Sequence, residues 1–132
     1  MKVFVIAMNN EAECVISNLE NVVETKLYGR RVVRGTLNGE GAFVVVSGVG
    51  KSNAAAATQL AIQETKCNKI LNLGVSGGLE STMKVGDIYE VSNAVQYDFD
   101  LVQINGTEMG TLNERDTPFI PCKAEGRFAA KT

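Results

Sequence analysis

Apolar residues come in short runs, each closed by turn-forming residues. Val3–Ala7, Phe43–Val46 and Lys69–Leu73 are mostly apolar over about one strand length, the pattern of strands buried on both faces. The first runs into Met8-Asn-Asn-Glu11, the second into Ser47-Gly-Val-Gly50, and the third into a bend carrying Gly74, Gly77 and Gly78. Glycines at such exits let the backbone turn sharply and approach another group closely. Three parallel strands ending together would form a crevice at their carboxyl ends, where open α/β sheets place ligands.

Between these runs the period changes. Ala12, Val15, Ile16, Leu19, Val22 and Val23 recur at helical spacing, which predicts a helix packed on the sheet and capped by Asn9 or Asn10, with Glu13 completing a capping box. Glu11 and Glu13 fall in its first turn, where the helix dipole favours anions. Thr25–Tyr28 and Arg31–Leu37 flank Gly29-Arg30, and Asn38-Gly39 is a strong hairpin signal. The expectation is an antiparallel meander of strands 24–28, 31–37 and 41–47. Ala54–Ala57, Leu60, Ala61 and Ile62 predict a second helix with a small, closely packing face. Lys84–Ser92 predicts a turn at Gly86-Asp87 and a strand continuing to about Val95. From Leu101 to Lys123 no period is visible and Pro118 and Pro121 favour loop; the last ten residues could begin a helix.

At 132 residues the chain has room for one domain with a real core. A net charge of −2 with interspersed signs makes no electrostatic case for nucleic acid or an anionic membrane. Three widely spaced cysteines, no C-x-x-C pair and no histidine argue against zinc and for reduced, mostly buried thiols. No stretch approaches the roughly twenty apolar residues of a membrane span, and Val3–Met8 is too short for a signal sequence. A cytoplasmic, soluble protein is expected.

Gly50-Lys51-Ser52 has the end of a phosphate-binding loop, but Val45 stands where that motif needs its first glycine. Gly48-x-Gly50 lacks the third glycine of a dinucleotide fingerprint, since Asn53 occupies the place. What remains is a glycine turn feeding a helix start, a plausible anion or hydroxyl site.

Taken together, Ala7-Met8-x-x-Glu11, Ser47-Gly-Val-Gly-Lys51, Asn72-Leu-Gly-Val-Ser-Gly-Gly-Leu79 and Lys84-Val-Gly-Asp-Ile88 are more specific than any one piece. In this order they resemble the N-terminal half of the nucleosidases that cleave 5′-methylthioadenosine and S-adenosylhomocysteine, within the nucleoside phosphorylase/hydrolase superfamily. The resemblance runs from residue 2 to about residue 125. It implies a three-layer α/β sandwich around a mixed, twisted sheet, here over a single domain, 1–132, that lacks the family's C-terminal part. It also implies a homodimer and hydrolysis of an N-glycosidic bond without a cofactor.

By the same resemblance Glu11 is the acidic residue that activates the attacking water. Met8 and Val49 match positions lining the ribose and water region, and Val75, Ser76 and Gly77 lie in the loop touching substrate beside them. Where the family usually has a hydroxyl residue after the loop's first glycine, this chain has Val75, with Ser76 one place later. The segment after Tyr97–Asp100 resembles one that closes the 5′-substituent pocket of a neighbouring subunit. Phosphorylases of the superfamily carry arginines near the first strand end and a Pro-Ser after the second glycine turn; Asn9-Asn10 and Lys51-Ser52 stand there instead. The family's leaving-group acid and later acidic motif would lie past residue 132, so the chain alone is expected to lack them.

Each residue has a plainer reading. Glu11 is also a first-turn helix carboxylate, Lys51 a helix-start cation, and Asp98 and Asp100 loop-anchoring carboxylates. Three functions stay open: a purine nucleosidase, a phosphorylase of the same superfamily, and a non-catalytic half-domain that associates with itself or a complementary chain.

Overall fold

A computed structural model describes residues 1–122, and the expected C-terminal helix lies outside them. The chain divides into two compact units, Met1–Gly77 and Gly78–Thr132.

In the first unit, strands β1 (Lys2–Ile6), β2 (Glu20–Leu27), β3 (Arg30–Leu37), β4 (Glu40–Val46) and β5 (Leu71–Leu73) form one mixed sheet in the order β2-β3-β4-β1-β5. β1 runs parallel to β4 and β5, while β2, β3 and β4 form the antiparallel meander. Helix α1 (Asn9–Ile16) packs on one face and α2 (Lys51–Thr65) on the other. The three layers follow from the alternation of side chains along a strand. Phe4 and Ile6 point to the cluster holding Ala12, Val15 and Ile16 of α1. Val3 and Val5 point the other way, to Phe43, Val45 and the Ala57, Leu60 and Ala61 face of α2. Because both faces are covered, β1 and β4 read as unbroken apolar runs.

Two local expectations shift. The α1 helix ends at Ile16, where Asn18 and Leu19 donate to Val15 and Ile16 carbonyls in a tight last turn. Val22 and Val23 therefore lie on β2 and are exposed, because pairing with β3 outcompetes a helical continuation for these β-branched residues. The first hairpin turn is Tyr28-Gly29 rather than Gly29-Arg30. Tyr28 and Gly29 have φ of 48° and 81°, as Asn38 and Gly39 have 53° and 77°, and a two-residue turn with both φ positive matches the twist of its strands.

In the second unit, the expected long strand before Val95 is mostly turn. Asp87 donates its N–H to the Lys84 carbonyl and accepts the Lys84 N–H on its carboxylate, which closes a turn there. Only β6 (Asn93–Val95) pairs, antiparallel to β7 (Phe119–Pro121), a strand inside the stretch expected as loop. Pro121 sits at the end of that two-stranded ribbon, where its missing N–H is tolerated. A single-turn helix α3 (Val102–Asn105) starts where Asp100 accepts the Val102 N–H, so this carboxylate anchors a loop.

Candidate active site at the strand ends

The parallel register sets the site. Ile6 lies beside Val46 on one side and Leu73 on the other, so the segments that follow leave the sheet at one rim. Ser47 and Gly48 donate backbone N–H groups to the carbonyls of Ile6 and Ala7, at 2.8 and 3.1 Å, locking the first two exits together. Asn72 adds a side-chain bond from Nδ2 to the Val5 carbonyl at 2.9 Å, tying β5 to β1.

The N-cap of α1 is Met8, one residue ahead of the asparagines, and it makes no side-chain cap bond. Glu11 supplies the cap instead, its Oε2 accepting the Met8 N–H at 3.0 Å. Its Oε1 accepts the Val75 N–H at 2.9 Å, across 64 residues of sequence. Glu13, expected in that cap, pairs with Arg31 at 2.7 Å. The Glu11 carboxylate thus joins the β1–α1 turn to the β5 exit. Gly74 leaves room for it: a Cβ there would lie 3.0 Å from Oε1. Each carboxylate oxygen has two lone pairs and spends one on a backbone N–H, so one on each remains for water or a hydroxyl. Glu11 is half-buried, whereas Val49, Val75, Ser76 and Gly77 are exposed along the rim.

Met8, Glu11 and Val75 are joined by these two bonds, and Val49 follows Gly48 on the adjoining exit. Ser76 and Gly77 continue the Val75 loop. Arg30 carries no local sequence signal of its contacts, because its partners, the Ser47 carbonyl and Asn53, are distant along the chain. A cavity of about 660 Å³ opens on the hairpin side of the Ser47–Gly48 exit, lined by Lys26, Arg30, Arg31 and Val46 among others. Among the described residues no group of three or more His, Cys, Asp or Glu could hold a metal ion, and no helix is long and apolar enough to cross a membrane. All three cysteines are free, but Cys14 and Cys122 are exposed rather than buried, Cys14 because it falls on the solvent side of α1.

A mixed sheet between two helices, with a helix-capping carboxylate at the carboxyl ends of its parallel strands, is the arrangement in which proteins of the open α/β class place small-molecule ligands. The model of the phosphorylase superfamily matches residues 2–128, and the chain belongs to that superfamily. Within it, the chain is 34% identical over 122 residues to the 5′-methylthioadenosine/S-adenosylhomocysteine nucleosidase of Shewanella sediminis, covering 92% of this chain and 53% of that protein. It is similar to the solved nucleosidase of the same kind from Neisseria meningitidis, in complex with methylthio-immucillin-A. The TM-score there is 0.84 at 30% identity, over 92% of this chain and 52% of that one. The Colwellia psychrerythraea nucleosidase, in complex with adenine, matches with a TM-score of 0.83 at 32% identity, over 92% and 50%. The chain spans about half the length of the curated relatives it matches.

Proposed function

We propose that this chain supplies the water-activating half of a purine nucleosidase that hydrolyses the N-glycosidic bond of 5′-methylthioadenosine or S-adenosylhomocysteine. The observation that carries the reading is Glu11, held at the strand-end rim by the Met8 and Val75 N–H groups with one lone pair per oxygen still open. Breaking the bond from sugar to base builds positive charge on the sugar, which a fixed carboxylate stabilises electrostatically. Water then adds to the anomeric carbon, its proton passes to Glu11, and the bonding pair leaves with the base. Protonation of that base belongs to a group outside residues 1–122. Met8, Val49, Val75, Ser76 and Gly77 line the substrate in this reading. No cofactor enters these steps.

Water rather than phosphate is the nucleophile, in keeping with Asn9-Asn10 and Lys51-Ser52 at the positions where the phosphorylases carry arginines and Pro-Ser. A homodimer and a cytoplasmic setting complete the proposal; three free thiols suit a reducing compartment. The test is adenine release from methylthioadenosine, with and without phosphate, by wild type and by Glu11→Gln, each supplied with the C-terminal half of a homologous nucleosidase. Release independent of phosphate and lowered by about 10²–10⁴-fold in the variant is expected, the usual worth of acid–base help. A Glu11→Gln protein that releases adenine at the wild-type rate overturns the reading.

A further inference from the structure

Arg30 opens β3, and its guanidinium reaches across the rim to the loop between β4 and α2. One amino group donates to the Ser47 carbonyl and the other to Asn53 Oδ1 at 3.2 Å. Asn53 in turn donates Nδ2 to the Val49 carbonyl at 2.9 Å. Its amide is therefore used at both ends: the oxygen faces a cation, the nitrogen a carbonyl. Rotated by half a turn it would set donor against donor and acceptor against acceptor. The neighbouring Arg31 is different, since it is paired to the carboxylates of Glu13 and Glu24. The two groups Arg30 bonds are neutral and belong to the glycine loop and the helix start beside it.

That loop needs outside support. Gly48 and Gly50 have φ of 83° and 104°, a conformation glycine enters freely and leaves as freely. Val49 between them is 70% exposed, so packing does not hold it. On the hairpin side lies the cavity rather than a wall of side chains. The Gly48 N–H to the Ala7 carbonyl and the Ala54 N–H to the Gly50 carbonyl bracket the loop, at 3.1 and 2.9 Å. Between these two bonds the Ser47 hydroxyl donates to the Gly48 carbonyl at 2.7 Å, and the Arg30–Asn53 bridge holds the next carbonyl, that of Val49.

We propose that Arg30 and Asn53 are positioning residues: through the Asn53–Val49 bond they fix Val49 against the rim and so shape the wall the nucleoside meets. That Val49 meets a nucleoside rests on the nucleosidase reading; the bridge itself rests on the geometry alone.

Asn53→Asp separates this role from general stability. It keeps the acceptor for Arg30 and adds an anion to the first turn of α2, which the helix dipole favours. It also removes the donor to Val49 and sets oxygen against oxygen. Arg30→Met keeps most of the apolar stem and removes the donors. Amide protection by hydrogen exchange would be followed at Gly48 and Ala54, with Val44 and Val45 as internal controls, alongside Tm and, with the C-terminal half of a homologous nucleosidase supplied, the KM and kcat for adenine release from methylthioadenosine. Asn53→Asp is expected to hold or raise Tm, while protection at Gly48 and Ala54 falls roughly tenfold and KM rises about tenfold with kcat changed less, as loss of one hydrogen bond to a binding wall gives. Arg30→Met is expected to lower protection at the same two amides. Wild-type protection and KM in Asn53→Asp, or a loss of protection shared equally by Val44 and Val45, would overturn the proposal. If wild type supplied with that C-terminal half releases no adenine and both variants still lose protection at Gly48 and Ala54, the bridge stands and the nucleosidase reading falls.

Discussion

Glu11 does two jobs with one carboxylate: it caps α1 through Met8 and staples the β5 exit through Val75. The staple depends on what Gly74 lacks. A methyl group there would press on Oε1 at 3.0 Å. Gly74 is not among the positive-φ glycines, so alanine strains no backbone and the collision is the whole effect. Gly74→Ala is expected to push the carboxylate off the Val75 N–H, costing about 1–2 kcal/mol in urea unfolding, the range of one net hydrogen bond plus slight overpacking. Under the proposed function, adenine release by the chain supplied with the C-terminal half of a homologous nucleosidase should fall with it. Unchanged unfolding and unchanged release would show that Oε1 can give way without loss.

The meander is tied to α1 by charge as well as by packing. Arg31 on β3 bonds Glu24 on β2 and Glu13 on α1, at 2.9 and 2.7 Å. The Arg31 hydrogen bond, helped by its charge, holds the Glu24 carboxyl below its ordinary value of 4.5. A carboxyl with a lowered folded pKa adds stability above its unfolded pKa and loses it as pH falls through the folded value. The meander should therefore loosen slightly below about pH 4.5, by a small amount because Glu24 is exposed and screened. In an NMR titration the Glu24 carboxyl should move back toward 4.5 in Arg31→Met; a titration unmoved by that substitution would assign the shift elsewhere. Packing is less forgiving in the same meander. Gly35→Ala would set a Cβ 2.8 Å from the Glu20 carbonyl and 3.1 Å from Leu19 Cβ, at the irregular pairing between Glu20 and Val23. A loss of about 1–3 kcal/mol in urea unfolding is expected there; an unchanged midpoint would mean that β2 slides aside.

At the scale of the whole molecule, the described residues carry more exposed large apolar side chains than the two helix-facing clusters account for. In the first unit these include Val49, Leu73 and Val75, and in the second Leu79, Val85, Ile88 and Ile104. Where such side chains adjoin on one unit, they form the kind of surface that a partner covers. Self-association is the expected outcome, in line with the proposed homodimer. Sedimentation equilibrium at micromolar concentration should give a mass above the 14.2 kDa of one chain. A single 14.2 kDa species that unfolds cooperatively would count against it.

The buried strands β1 and β4, the alternation that sends Phe4 and Val3 to opposite helices, and the Asn38-Gly39 turn were written locally, because side-chain period and turn chemistry act over a few residues. The run expected as a third buried strand is instead β5, which spans only Leu71–Leu73 at the sheet edge and is mostly exposed. The order of motifs also carried the superfamily, through residues 2–128. Tertiary structure decided the rest. Val22 and Val23 fit a helix by spacing and became strand only because β3 was there to pair with them. The second unit offered too little periodic signal to separate turn from strand before Val95. The Glu11–Val75 bond and the Arg30–Asn53–Val49 bridge join residues far apart in sequence, and no local propensity encodes a contact that exists only after parallel strands have brought their ends to one rim.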